Sequence, residues 1–290
     1  MHLMDDKRVG DRTVKPMTAE EFGRFSEFIS SHCGIKMPPA KKVMLEARLQ
    51  KRLRCLRMGS YREYFDYLSR DAGGGELVRM IDAVTTNKTD FFREPAHFDY
   101  LVRHVLPQHV DTPPGVRPPR FVLWSAGCST GEEPYTLAMV LAEFASRNPS
   151  FSFSLLATDI STRVLDHARE GIYDRERVAP VPPAFKQKYL LRSKDPGKGL
   201  VRIVPLLRAA VQFHRLNLMD EQYSFAEPFD MIFCRNVIIY FDRRTQERLV
   251  ARFCRCLKSG GYLFLGHSET VYGFDVPLER VVSTVYRKAD

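Results

Sequence analysis

Phe121-Val-Leu-Trp-Ser-Ala-Gly-Cys-Ser-Thr-Gly-Glu-Glu-Pro-Tyr135 reads as a buried strand, a turn of small residues and the start of a helix. Phe121 to Trp124 is the short continuous apolar run of a strand covered on both faces. Gly127 and Gly131 allow backbone shapes and close approaches that a Cβ would block. Thr130 and Glu133 have capping-box spacing, and Pro134 suits the first turn of a helix running on through Leu137, Val140 and Leu141. A ligand therefore belongs where strand meets helix. The turn lacks both the G-x-G-x-x-G fingerprint and the Gly-Lys-Ser/Thr of a P-loop, and two glutamates at the helix start would repel a pyrophosphate. They would tolerate a nucleotide cofactor that is cationic or rich in hydroxyls.

The acidic partner of such a site closes the next apolar run, Phe153-Ser-Leu-Leu-Ala-Thr-Asp159. In a doubly wound sheet ligands sit outside the carboxyl ends of the strands, and a carboxylate at the second strand's end accepts ribose hydroxyls. Asp159 alone is equally a cap for a helix beginning near Ser161. With the glycine turn upstream, the cofactor reading is preferred.

Four stretches together carry a resemblance: Thr86-Asn-Lys-Thr-Asp-Phe-Phe-Arg93, the turn Ala126 to Tyr135 with the strand end Thr158-Asp-Ile160, Phe229-Asp-Met-Ile-Phe-Cys-Arg-Asn-Val-Ile-Ile-Tyr-Phe241, and Gly261-Tyr-Leu-Phe-Leu-Gly-His-Ser-Glu269. In this order they resemble the CheR family of chemoreceptor glutamate methyltransferases, from about Thr85 to the C-terminus. The resemblance implies an α/β class I S-adenosylmethionine-dependent methyltransferase, a Rossmann-like doubly wound sheet with an N-terminal all-helical domain and a small inserted β subdomain. By residue-wise matching it places Asn87, Thr89, Arg93, Gly127, Glu133, Asp159, Asn217, Leu218, Arg235 and Asn236 at cofactor-contacting positions, with Asn217 and Leu218 beside the adenine. Arg93 and Tyr240 are the candidates for orienting the acceptor or the donor. Lys88 and Asp90 fall at variable places of the first signature, and Gly127-Cys128 stands where some relatives have smaller residues.

The breakers divide the chain as follows. Residues 1–16 are polar and expected to be disordered, 17–84 form a helical domain, 85–119 a linker and connecting helix, and 120–290 the α/β domain. Capping boxes at Thr18-Ala-Glu-Glu21 and at Ser60 with Glu63 start helices, and Gly34, Gly59 and Gly73-Gly-Gly75 end or separate them. The link continues into a helix, Glu94 to Val105. Later strands are expected at Val211 to Leu216, Met231 to Cys234 and Tyr262 to Leu265, a helix at Arg243 to Leu257, and a single last strand, Arg280 to Tyr286, antiparallel to its neighbour. About 40 residues between Gly171 and Val211 exceed a standard connection and form the inserted β subdomain, 172–210, with a strand at Leu200 to Val204. Some members of the family dock a receptor tether peptide there; a hairpin that only shields a sheet edge reads equally well.

Net charge is +9 over 290 residues, and it is concentrated. Between Pro38 and Met58 seven basic residues face one acidic residue, a net +6 in one expected helix. Leu45, Leu49, Leu53 and Leu56 form its apolar stripe, while Lys41, Arg48, Lys51 and Arg52 cluster on an adjoining face. That face is expected to dock something acidic, which the resemblance identifies as the cytoplasmic helical domain of a methyl-accepting chemotaxis receptor. Six cysteines without C-x-x-C pairs or secreted spacing fit a reducing cytoplasm. No apolar run reaches the ~20 residues of a membrane helix, the histidines are scattered, and neither a metal nor membrane insertion is expected; the chain is expected to be a monomer.

The expected chemistry is methyl transfer from S-adenosylmethionine to a glutamate carboxylate, leaving S-adenosylhomocysteine and a methyl ester. The acceptor is already ionised, so positioning rather than a general base is required. A nucleic-acid methyltransferase would use the basic helix on phosphates, but neither an Asn/Asp-Pro-Pro-Tyr/Phe element nor a Pro-Cys nucleophile is present. A catalytically silent cofactor-binding regulator is the other alternative, and the intact set Asn87, Arg93, Asp159, Asn236 and Tyr240 speaks against it.

Overall fold

The computed structural model describes residues 14–71, 74–111, 113, 116 and 118–289, so residues 1–13 of the expected disordered tail lie outside the described residues. The chain forms two compact units, one of Lys36–Thr85 with the chain up to His32, the other of Cys33–Ile35 with the chain from Thr86 onward.

The first unit is helical: α1 (Ala19–Cys33), α2 (Lys42–Leu56), α3 (Tyr61–Ser69) and α4 (Gly75–Val84). Thr18 and Glu21 cap α1 reciprocally, Thr18 N donating to Oε2 at 2.8 Å and Glu21 N to the Thr18 hydroxyl at 3.1 Å. Ser60 Oγ accepts from Glu63 N to start α3, while the Glu63 carboxylate accepts from Gly59 N. Leu45, Leu49 and Leu53 are fully buried, as their spacing predicts. Phe25 of α1 stacks on Tyr64 and meets Phe65 edge-on, both on α3.

Two features of the basic helix depart from expectation. Its first turn is a separate 3-10 turn, Pro39–Lys41, so Lys41 lies outside α2. Its end is set by Arg57 in the left-handed region (φ 56°), with Met58 N bonded to Leu53 O, ahead of Gly59. More consequential is where the basic side chains go. Arg52 makes a two-pronged bond to Glu76, at 2.9 and 2.7 Å, and Tyr64 Oη donates to the same carboxylate at 2.9 Å. Arg48 Nη1 donates to the carbonyls of Val84 and Thr85, capping the C-terminus of α4. Two of the four residues expected on a docking face are therefore committed to internal bonds. A carboxylate as buried as Glu76, 1 % exposed, requires a partner, and α2 supplies it.

The second unit opens with a helix of mixed pitch: α5 (Ala96–Tyr100), a π segment at Leu101–Val105, and α6 (Leu106–Val110). It continues through β1 (Phe121–Ala126), α7 (Glu132–Arg147), β2 (Phe153–Asp159), α8 (Thr162–Glu170), β3 (Ile172–Asp174), α9 (Pro183–Tyr189), β4 (Leu190–Arg192), β5 (Leu200–Ile203), α10 (Pro205–Ala210), β6 (Val211–Arg215), β7 (Phe229–Cys234), α11 (Arg243–Cys256), β8 (Leu257–Leu265), β9 (Leu278–Val282) and β10 (Val285–Lys288). The main sheet has the order β6-β2-β1-β7-β8-β10-β9, with β6, β2, β1, β7 and β8 paired parallel. β1 is central and buried at every position. Apolar residues pack on both faces, one layer around α7 with Phe98, Tyr135 and Phe264, the other around α11 with Trp124, Phe253 and Leu263. The single last strand expected from Arg280 to Tyr286 is instead the hairpin β9–β10, because Thr284 adopts a left-handed turn (φ 59°) that reverses the chain. The insertion forms a second antiparallel sheet, β3-β5-β4.

Replacing Arg52 by Ala removes the two-pronged partner of the buried Glu76 carboxylate and leaves it Tyr64 and the more distant, exposed Arg79 at 3.6 Å. The expected loss is about 3 kcal/mol, against no more than about 0.5 kcal/mol for exposed Lys51→Ala, compared by urea denaturation of the full chain.

Candidate functional site

The doubly wound order leaves the carboxyl ends of β1, β2, β6, β7 and β8 on one rim, and the candidate residues gather there. Gly127 follows β1 at φ 81°, and a Cβ on it would lie 2.5 Å from Val237 in the loop after β7. Gly127 N and Cys128 N both donate to Thr158 O, which folds the turn against the end of β2. Asp159 completes that junction. Its Oδ2 accepts from Ser129 N and its Oδ1 from Ser161 N, each at 2.9 Å, while Ser161 rather than Asp159 caps α8. These two bonds pin Asp159 between the turn after β1 and the start of α8. Leu216 N donates to Asp159 O, which brings Asn217 and Leu218 beside it.

The capping box expected at Thr130 and Glu133 does not form. Thr130 Oγ1 donates to Glu132 at 2.6 Å, and α7 starts at left-handed Gly131 without a side-chain cap. Both glutamates have longer-range partners instead. Glu132 is fully buried and paired with Arg177. Glu133 accepts from Ser125 Oγ at 2.7 Å and from Arg235 Nε at 2.8 Å.

The segment before α5 is stitched to this rim at three places. Ser129 Oγ donates to Asn87 O, Phe92 N donates to Thr136 Oγ1, and Arg235 Nη1 donates to Arg93 O at 2.7 Å. Thr89 and Phe91 are buried in it. Phe92 and Glu94 are both left-handed (φ 53° and 56°), an uncommon shape for non-glycine residues. Arg93 sits between them, one-third exposed, with Nη1 donating to Lys88 O at 3.3 Å and Nε 4.0 Å from Glu94. Asn236 is half-buried; its N donates to Glu269 and its Nδ2 to Glu94 at 3.4 Å. Tyr240 ends a 3-10 turn, Ile238–Tyr240, in the same loop. The expected cofactor residues are thus brought together in the second unit, whereas Lys41, Arg48, Lys51 and Arg52 belong to the first.

Sequence reasoning assigned no role to Ser129, Glu94, His97 or Glu269. Ser129 and Glu269 lay inside quoted motifs, but their partners, 30 and 33 residues away, carry no local signal. His97 is buried; Arg235 Nη1 lies 3.1 Å from its Nδ1, and Thr284 Oγ1 lies 2.8 Å from its Nε2. Because the arginine only donates and the threonine hydroxyl donates to Ser283 O, the bonding pattern assigns a neutral ring with its proton on Nε2. Burial, with Arg235 beside it, pushes this histidine down from 6.5 to about 4. Glu94, His97 and His267 bring ligand atoms within 4.8 Å of one another, but Arg235 already supplies the positive charge there, 3.5 Å from Glu94 Oε2. Cys128 is no nucleophile: burial, then Asp159 and Glu133, raise its thiol well above the usual range.

Two family descriptions match this chain: "CheR methyltransferase, SAM binding domain" over residues 87–287 and "CheR methyltransferase, all-alpha domain" over residues 20–85. The chain is 40% identical over 273 residues to a chemotaxis protein methyltransferase of Borreliella burgdorferi, covering 94% of this chain and 95% of that one. It is 41% identical to chemotaxis protein methyltransferase 2 of Pseudomonas aeruginosa, with 94% of each covered. A chemotaxis protein methyltransferase of Escherichia coli is 41% identical over 86% of this chain and 83% of its own.

His97 makes stability depend on pH with a definite sign. Between pH 6.5 and about 4 the unfolded chain binds a proton that the folded chain refuses, so its contribution is complete above 6.5 and falls as pH drops through that window. The expected loss is on the order of 3 kcal/mol by pH 4. Urea titrations at pH 7, 5.5 and 4.5 should show a shallower slope for His97→Gln, and an unchanged slope would contradict the assignment.

Proposed function

This chain belongs to the CheR methyltransferase family, and we propose that it esterifies glutamate carboxylates on the cytoplasmic helical domain of a chemoreceptor. It is an S-adenosylmethionine-dependent methyltransferase. The donor set at the rim suits that cofactor. Glu132 and Glu133 flank the turn where a dinucleotide would need cations, and Asp159 ends the second strand, where a carboxylate accepts sugar hydroxyls in this fold. When bound, S-adenosylmethionine supplies a sulfonium-activated methyl group.

The observation that carries the reading is the stitching of residues 87–94 to the ends of β1 and β7, which puts Asn87, Arg93, Asp159 and Asn236 around one rim. Asp159 grips the ribose, Asn217 and Leu218 flank the adenine, and Asn87, Thr89 and Asn236 supply neutral hydrogen-bonding groups. Arg93 orients the acceptor carboxylate with a planar donor fork, and Tyr240 steadies donor or acceptor through its hydroxyl. No residue needs to remove a proton, because a glutamate is ionised at neutral pH. The chain's contribution is alignment and exclusion of water. Arg235 belongs to this set through its backbone; its guanidinium is spent on Glu133, Arg93 O and His97.

Docking falls to the cations of α2 that remain outward. Lys51 is exposed, and Arg54 and Arg57 are exposed beside it, while Arg48 and Arg52 hold the helical unit together. The outer strands of the β3-β5-β4 sheet offer unpaired backbone groups to an extended receptor tether. The protein acts in the cytoplasm, where its receptor domain lies. Among the described residues no helix is long and apolar enough to cross a membrane.

The deciding experiment supplies labelled methyl donor with receptor cytoplasmic fragments. Counts released as methanol by mild alkali identify esters; alkali-stable counts, or transfer to RNA or DNA instead, would refute the proposal. Asp159→Asn should weaken adenosylhomocysteine binding by at least about tenfold in calorimetry, since each lost charged hydrogen bond is worth roughly 1.5 kcal/mol or more. The pair Lys51→Glu and Arg54→Glu should raise the KM for receptor fragment several-fold, more at low salt, with adenosylhomocysteine affinity unchanged.

A further inference from the structure

Glu269 follows β8 in the Gly266-His-Ser-Glu269 turn and is 5 % exposed. Its carboxylate accepts backbone N–H groups that come from two different loops, with Val237 N–H directed at it beside those of Gly266, Asn236 and Ile239. Oε2 takes Gly266 N at 2.6 Å and Asn236 N at 2.8 Å, and Oε1 takes Ile239 N at 3.3 Å. The loops themselves touch backbone to backbone. A Cβ on Gly266 would lie 2.5 Å from Asn236 Nδ2 and 2.8 Å from Asn236 N, so only glycine fits. Asn236 is left-handed at φ 59°, a region asparagine tolerates better than other side chains, so the loop can turn here. Without the carboxylate, converging N–H groups in a largely buried place would lack an acceptor.

The two oxygens address different parts of the loop. Oε2 fixes Asn236, the neutral group on the cofactor side. Oε1 fixes Ile239, the middle of the one-turn 3-10 helix whose last residue is Tyr240. We propose that Glu269 is a positioning residue for methyl transfer, holding the loop after β7 in the shape that presents Asn236 and Tyr240 to the rim. The inference rests on reading that rim as the methyl-donor and acceptor site.

Glutamine separates the two duties. With its amide oxygen in the Oε2 place, Glu269→Gln keeps the bonds to Asn236 and Gly266 and turns an NH2 toward Ile239 N–H. Adenosylhomocysteine affinity should then stay within about twofold while kcat falls about tenfold, since small misplacements of a reacting group cost that much or more. Glu269→Ala loses both oxygens, and should weaken adenosylhomocysteine binding about tenfold and kcat about a hundredfold. If the glutamine variant acts through Tyr240, its kcat loss should largely vanish in a Tyr240→Phe background. A glutamine variant with wild-type kcat, or losses that multiply with Tyr240→Phe, would overturn the proposal even if the alanine variant fails to fold. Wild-type protein that neither binds adenosylhomocysteine nor transfers methyl groups would instead refute the site itself, an outcome distinct from failure of the Glu269 assignment.

Discussion

The rim depends on one buried guanidinium. Arg235 leaves the end of β7 with its side chain 2 % exposed, a state whose desolvation penalty only good geometry can offset. It meets Glu133 on α7 at 2.8 Å, Arg93 O in the segment before α5, and His97 Nδ1 on α5. Phe98 and Phe233 lie under its plane, with centroids at 5.2 and 5.4 Å. The end of β7, the start of α7 and residues 93–97, three pieces of chain far apart in sequence, are thereby held at fixed offsets. A lysine could not replace it, because one ammonium cannot reach partners spread around a planar fork. The neutral state of His97 is part of the same constraint, since its Nδ1 must accept from the guanidinium.

Much of the architecture was legible beforehand because it is written in short-range patterns. The fully apolar run Phe121 to Trp124 marked a strand buried on both faces, and β1 is that strand. The Thr18–Glu21 and Ser60–Glu63 spacings marked helix starts, and both caps form. The same rule failed at Thr130–Glu133, where buried Arg235 and Ser125 outcompete an exposed cap for the glutamate. Local spacing predicts what a side chain can reach along its own helix. It says nothing of partners a hundred residues away.

Charge counting failed for a related reason. The basic run from Lys41 to Arg57 is real, but Arg52 is neutralised by Glu76, 24 residues on, and Arg48 is used on the carbonyls that end α4. A sum over a window treats every cation as outward, whereas an apolar stripe one turn away draws its neighbours partly inward. The hairpin β9–β10 was hidden by its turn, since Thr284 at positive φ is not a residue that signals reversal. Phe92 and Glu94 were unreadable as left-handed positions on the same ground. They are strained residues at a site, where local preference is expected to yield to long-range bonding.

On the proposed reading, an anionic acceptor approaching this rim faces five carboxylates, Glu94, Glu132, Glu133, Asp159 and Glu269, and their pairing decides whether it can enter. Glu132 is matched by Arg177, and Glu133 with Glu94 lies against Arg235. Glu269 and Asp159 are held instead by backbone N–H groups, which stabilise a carboxylate without adding a mobile cation. The acids are therefore mostly cancelled where they stand. Acids of this kind suit a donor that carries positive charge, and in the role proposed for it Arg93, one-third exposed between two left-handed residues, would meet the negative acceptor. A rim with the same acids unpaired would hold the cofactor and repel the substrate; one crowded with free lysines would draw the substrate in and blunt its carboxylate as a nucleophile. On the proposed reading, pairing the cations Arg177 and Arg235 with the glutamates while Arg93 stays near the surface avoids both failures.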